Sequence, residues 1–194
     1  MNLIMKKELH ELVYNPKTIL NVFLMLVLPH IPNLKHSLFL YHIIIASSIF
    51  AGGQFIYDSF YNETVYGGKI FILNMKISPI VSYLQKVFIS VAVCLSTLPI
   101  NIFLTKIQFY ISDLLFIMPL CFFSTTIMYL ASIVLKKYEA SAGFVTIGIS
   151  LIALSFIMSF GSILCKMLFS IVLAFISFFA TYYLSNSTYY RSQV

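Results

Sequence analysis

Asp113-Leu-Leu-Phe-Ile-Met-Pro-Leu-Cys-Phe-Phe-Ser-Thr-Thr-Ile-Met-Tyr-Leu-Ala-Ser-Ile-Val-Leu-Lys136 carries 22 residues without a charge between an acid and a base. As a helix such a run is about 33 Å long, enough for the apolar core of a bilayer, about 30 Å thick. Pro119 within it, like Pro99 in an earlier run, removes a backbone donor and bends its helix. Five more charge-free runs lie outside this one: Lys17 to Lys35, Lys35 to Asp58, Lys86 to Lys106, Glu139 to Lys166 and Lys166 to Arg191. The pattern predicts an all-α integral membrane protein in which residues 1–194 form one transmembrane domain. Its six spans are expected at about 18–34, 37–58, 86–105, 113–135, 141–161 and 164–186.

Composition agrees with the runs. Of 194 residues 60% are hydrophobic and 9% charged, where a soluble domain carries about a quarter charged residues. A water-soluble enzyme and a free nucleic-acid-binding domain are thereby excluded, and nucleic acid is not an expected partner. The net charge of +6 reads instead as topology. With six spans both termini share one side. A cytoplasmic N-terminus puts Lys6, Lys7, Lys17, Lys69, Lys76, Lys86, Lys136, Lys137 and Arg191 inside, against Lys35, Lys106 and Lys166 outside. That bias predicts a multi-pass protein of the cytoplasmic membrane with both termini in the cytoplasm.

The first run is the shortest and ends in Pro29 and Pro32. Glu8 and Glu11 upstream of it, and the lack of a small-residue cleavage site before Lys35, argue for a retained, short or tilted helix rather than a signal peptide. Ser48 and Gly52, one helical turn apart on the second run, would let a neighbouring helix approach closely. Cys94, Cys121 and Cys165 lie far apart in apolar runs and read as small buried hydrophobes, with no disulfide or zinc spacing.

Two cytoplasmic elements stand out. Met5, Leu9, Leu12 and Val13 share a helical face, with Lys6, Lys7, His10 and Glu11 elsewhere, so the N-terminus predicts an interfacial amphipathic helix that Asn15-Pro16 ends. Between Asp58 and Lys86 lies the longest segment outside the spans. In it Gly67-Gly68 precede a short mixed run, Lys69 to Lys76, closed by Ser78-Pro79. This predicts a short docking helix.

At these residues the chain resembles the membrane subunit of a type-2 ABC exporter. Glu63, Gly67, the Ile72-Leu73 pair, Ile77-Ser78 and Lys86 fall at that family's spacing, with Lys76 where proline is usual. Lys7-Glu8-Leu9 with Asn15-Pro16-Lys17 resembles its elbow helix, here formed by Lys6, Lys7, Glu8, Leu9 and Leu12. The resemblance implies a permease whose segment from Glu63 to Ser78 seats in a separate ATPase. Ile70, Phe71 and Leu73 would insert, Glu63 would cap or make a polar contact, and Lys69 and Lys76 would meet acidic residues or headgroups. Gly67-Gly68-Lys69 lacks the glycine and hydroxyl positions of a phosphate-cradling loop. ATP and Mg are therefore expected on two copies of the partner ATPase, with no catalytic, cofactor or metal residue in this chain. A second permease, identical or related, completes the pathway. The expected cargo is hydrophobic or amphipathic: an antimicrobial peptide or bacteriocin, or a lipophilic drug.

A rival reading makes the chain a structural or assembly membrane protein, or a haem- or metal-binding one using His30, His36 and His42 near the outer ends of the first two spans. His36 and His42, six apart, do not share a helical face. Asp113 and Lys166, at the outer ends of the fourth and sixth spans, are placed to pair across the rim.

Overall fold

The computed structural model describes the backbone of residues 3–32, 39–65, 78–134 and 139–191, and side chains over 6–7, 9–10, 13–32, 39–59, 78, 80–131 and 148–184. Among the described residues every regular element is helical: α1 (Leu3–Tyr14), α2 (Pro16–Val27), α3 (Leu40–Val65), α4 (Pro79–Thr105), α5 (Leu114–Val134), α6 (Glu139–Ser159) and α7 (Ile163–Arg191).

The break between α1 and α2 follows from Pro16. The residue before proline is pushed out of the α region, and Asn15 is extended at φ −84 and ψ 108. Its side chain then accepts from the Lys17 backbone N–H at 3.0 Å, capping α2, while Pro16 takes the first helical position, where a missing N–H costs nothing. Pro29 ends α2 in a 3-10 turn, Leu28–His30. The apolar helical stretch is Pro16–His30, about 22 Å long and shorter than a bilayer core.

Among the described residues four helices are long and apolar enough to cross a membrane, with apolar stretches Leu40–Ser59, Ile80–Thr105, Ile111–Ala131 and Ile163–Leu184. In α6 the apolar stretch over the described side chains is Gly148–Ser159. Boundaries differ from the expectation: α2 ends at Val27 rather than 34, and α7 runs to Arg191 rather than 186. The second span, expected to stop at 58, continues as helix to Val65, and the third begins at Pro79 rather than 86. Asp58 and Lys86 therefore lie inside helices, both nearly fully buried. A charge marks the end of a span only when it must reach water, and these two find protein partners instead. Ser78-Pro79, expected as a stop, serves as the N-cap and first residue of α4.

α3 is central, packing on α2, α4, α5 and α6, and α7 lies against α5. The apolar stretches of α3 and α5 are 61% buried, that of α7 only 11%. One core cluster gathers Ile44, Ile49, Leu98, Phe116, Leu120 and Ile157. A second, toward Asp58, gathers Ile56, Tyr83, Val87, Met128 and Tyr129. Gly52 makes the α3–α4 contact possible: a Cβ there would stand 2.3 Å from the Ser90 carbonyl oxygen, so only glycine allows the backbones this close. α7 meets its neighbours through buried Ser170, Ser177 and Thr181. Each hydroxyl returns a hydrogen bond to its own helix, to Lys166, Ala174 and Ser177 carbonyls respectively, which hides its polarity in the interface.

Candidate functional site: a polar belt across the helices

α4 carries Ser82, Lys86, Ser90, Cys94, Thr97 and Asn101 at steps of three or four residues, and all six are buried. Helical spacing puts them on one face. That face meets α3, where Asn101 Nδ2 donates to Ser47 Oγ at 3.4 Å and the Lys86 ammonium donates to Ser59 Oγ at 2.5 Å.

At the Lys86 end this stripe widens into a belt joining five helices. Asp58, 3% exposed, accepts from Thr18 Oγ1 of α2 at 3.0 Å and from Gln54 Nε2, one turn earlier on α3, at 3.0 Å. The Lys17 ammonium stands 3.9 Å from the same carboxylate, its own side chain 55% exposed. On α4, Tyr83 precedes Lys86 by three residues and is fully buried. Its hydroxyl bonds Thr126 Oγ1 of α5 at 2.8 Å and reaches Thr181 of α7. The order around the belt is α2, α3, α4, α5, α7.

A charge at the centre of a membrane helix costs about 2.5–3.5 kcal/mol on insertion scales, and hydrogen bonds to charged groups return about 1.5–3 kcal/mol each. Two side-chain donors and a cation are thus enough to hold the Asp58 carboxylate. The belt is a fastening: its donors and acceptors face one another across helix seams.

The opposite ends of the helices are arranged differently from the expectation. Asp113 does not pair with Lys166. It accepts from the Tyr41 hydroxyl at 2.6 Å, Tyr41 stacks on Phe109, and the Lys166 ammonium lies 5.6 Å from the centre of the Phe116 ring. Each charge meets an aromatic side chain of another helix, Tyr41 of α3 and Phe116 of α5. Cys94 and Cys121 are buried as expected, but Cys165 is exposed. His30 Nε2 and His42 Nδ1 are buried without a hydrogen-bond partner among the described residues. His36 lies outside them, and no group of three or more His, Cys, Asp or Glu that could hold a metal occurs among them.

Of the expected coupling residues, Gly67, Lys69, Ile70, Phe71, Leu73 and Lys76 lie outside the described residues. Glu63 falls in the last turn of α3, its side chain likewise outside, and Ser78 is the exposed N-cap of α4. In α1, Lys6 is exposed and Lys7 and Leu9 are half-buried; the side chains of Glu8 and Leu12 are outside the described residues. α1 packs on α2, α3 and α4. Asp58 and Lys86 were read from the sequence as span ends, and Lys86 also as part of the family spacing, but not as buried partners; Gln54, Thr18 and Tyr83 were not singled out, although the four-residue spacing of Ser82, Lys86 and Ser90 and of Gln54 and Asp58 was a readable signal for them.

These features define a class: an all-α, membrane-embedded protein whose long apolar helices are fastened by a buried polar belt. No family model, curated protein or solved structure matches the chain.

Proposed function

We propose that the chain is the permease subunit of an ATP-driven exporter of the type-2 ABC kind, with six membrane passages, both termini in the cytoplasm, and the belt in the cytoplasmic half. α2 and α6 supply the remaining two passages. ATP and Mg belong to two copies of a partner ATPase, and a second permease, identical or related, completes the translocation path.

The observation that carries this reading is the Lys86–Ser59 hydrogen bond. It joins the two helices flanking residues 66–77, the segment assigned to the ATPase. Both helices continue past it, α3 to Val65 and α4 from Pro79. A push delivered between them moves α3 and α4 together, and through Thr18 and Tyr83 it reaches α2, α5 and α7. α1, resting on α2, α3 and α4, serves as the interfacial elbow. The buried charges already have protein partners, which supports a hydrophobic or amphipathic cargo, an antimicrobial peptide or bacteriocin before a lipophilic drug.

The test is purification of the tagged chain from its native membranes. Recovery of an ATPase with a phosphate-binding loop, whose ATP hydrolysis the chain stimulates in liposomes, is the expected result, with recovery lost on deletion of Ile70 to Leu73. Undiminished association after that deletion overturns the coupling role.

A further inference from the structure

Lys6, His10 and Tyr14 follow one another at four-residue steps on α1, which sets them in one stripe about 12 Å long. All three are exposed, and so is Val13 beside them. The rings of His10 and Tyr14 stack with centroids 4.3 Å apart, which holds the imidazole on the stripe; neutral or charged, it keeps at least one N–H donor. Glu8 and Glu11 do not share this four-residue register. Three residues past Tyr14, beyond the Asn15-Pro16 break, stands Lys17, its side chain 55% exposed although its ammonium is 3.9 Å from Asp58. α1 packs on α2, α3 and α4, so the stripe is the side left to a partner.

The surface changes character directly after the break. Ile19, Leu20, Phe23, Leu24 and Val27 of α2 are all exposed, an apolar row of the kind that acyl chains cover. The border between the basic, aromatic stripe and this row falls at Asn15-Pro16, and in a bilayer such a border lies in the headgroup layer, where tyrosine and lysine collect. We infer that the exposed stripe of α1 is a docking surface for anionic phospholipid, with a headgroup phosphate held between Lys6 and His10. Residues four apart on a helix stand about 5–6 Å from one another, close enough for one phosphate to meet both. Charge complementarity names the lipid: phosphatidylcholine brings its own cation to the phosphate, whereas phosphatidylglycerol leaves that place to Lys6. The inference goes beyond the transport reading and is measurable without any ATPase.

The chain has no tryptophan, so Tyr14→Trp keeps an aromatic ring on the stripe and makes a single fluorescent reporter. The purified full chain is placed in nanodiscs of equimolar phosphatidylglycerol and phosphatidylcholine, in which one lipid or the other carries bromine near the ester end of its acyl chains. Brominated phosphatidylglycerol is expected to quench as though enriched about three- to fivefold beside residue 14, the preference of about one lysine at an anionic surface. Lys6→Gln with His10→Gln is expected to bring the two quenching levels together. Phe175→Trp, at an exposed position midway along α7, should report no preference. Equal quenching by the two lipids at residue 14 overturns the inference whether or not the glutamine variant folds. So does quenching by neither, which gives the stripe to a protein partner. A preference kept in a folded Lys6→Gln/His10→Gln chain, or an equal preference at residue 175, overturns it as well, because the enrichment then belongs to the whole chain. A chain that shows the preference at the stripe yet recruits no ATPase keeps the docking surface and loses only the transport reading.

Discussion

The Lys86 ammonium donates to Ser59 Oγ at 2.5 Å, and the preceding residue of α3, Asp58, accepts from Thr18. Two consecutive positions on one helix thus hold a neighbour on either flank, α4 through Ser59 and α2 through Asp58. Successive side chains of a helix point about 100° apart, so Asp58-Ser59 faces both seams at once. The charges at 58 and 86 cross-brace the bundle.

The Thr18–Asp58 contact is expected to be energetically coupled. Thr18→Val keeps shape and removes the donor, at a cost of about 1.5–3 kcal/mol for a hydrogen bond to a charge. Asp58→Ala leaves Thr18 Oγ1 and Gln54 Nε2 without their acceptor, for about 1–3 kcal/mol. The double variant should lose less than the sum by about 1–2 kcal/mol, a coupling typical of contacting residues. Reversible unfolding in mixed micelles measures the cycle, and strict additivity would remove Thr18 from the belt.

Gly52 and its neighbour Gly53 should respond oppositely to alanine. At Gly52 the new Cβ meets the Ser90 carbonyl oxygen at 2.3 Å, forcing α3 and α4 apart for about 1–3 kcal/mol or more. At Gly53 the nearest atom is the Met128 methyl at 3.7 Å, ordinary contact, and the change should be neutral or gain up to about 1 kcal/mol of helix propensity. Thermal stability of the two variants side by side decides it; similar losses at both would deny the close approach.

Tyr83→Phe removes the hydroxyl shared with Thr126 and Thr181. Interhelical hydrogen bonds in membranes average about 0.6 kcal/mol, so the loss should be below about 2 kcal/mol, with Thr126→Val adding little once Tyr83 is Phe. No measurable loss would show that the ring's packing, not its hydroxyl, holds α5.

Cys165 is a native reporter of topology. It is the exposed cysteine at the start of α7, whereas Cys94 and Cys121 are buried. With six passages and a cytoplasmic N-terminus, position 165 faces outward, so a membrane-impermeant maleimide should label intact cells and Cys165→Ser should abolish labelling. Labelling only after permeabilisation would contradict six passages with a cytoplasmic N-terminus.

Much of the architecture was readable in advance because desolvation of charge dominates a membrane chain. The long runs became α3, α4, α5, α6 and α7, Asn15-Pro16 broke the chain where proline demands, and Gly52 proved a close contact. The belt was not read, because the same rule puts Asp58 and Lys86 at span ends, and a linear sequence does not show that Thr18 and Ser59 await them across helix seams. Asp113 and Lys166 were misjudged for the same reason: opposite charge suggested a pair, while Tyr41 and Phe116 were the partners in reach. The family resemblance rests on residues 4–86, and its cytoplasmic segment, 66–77, lies outside the described residues.

The central claim is that this segment seats in an ATPase, and a photoreactive benzophenone side chain placed at Phe71 tests it in native membranes. The control position is Tyr110, exposed at the far end of the bundle. Irradiation should give an adduct at position 71 whose partner peptide comes from an ATPase with a phosphate-binding loop, and no such adduct at position 110. No ATPase adduct at 71, or equal adducts at both positions, would contradict the account.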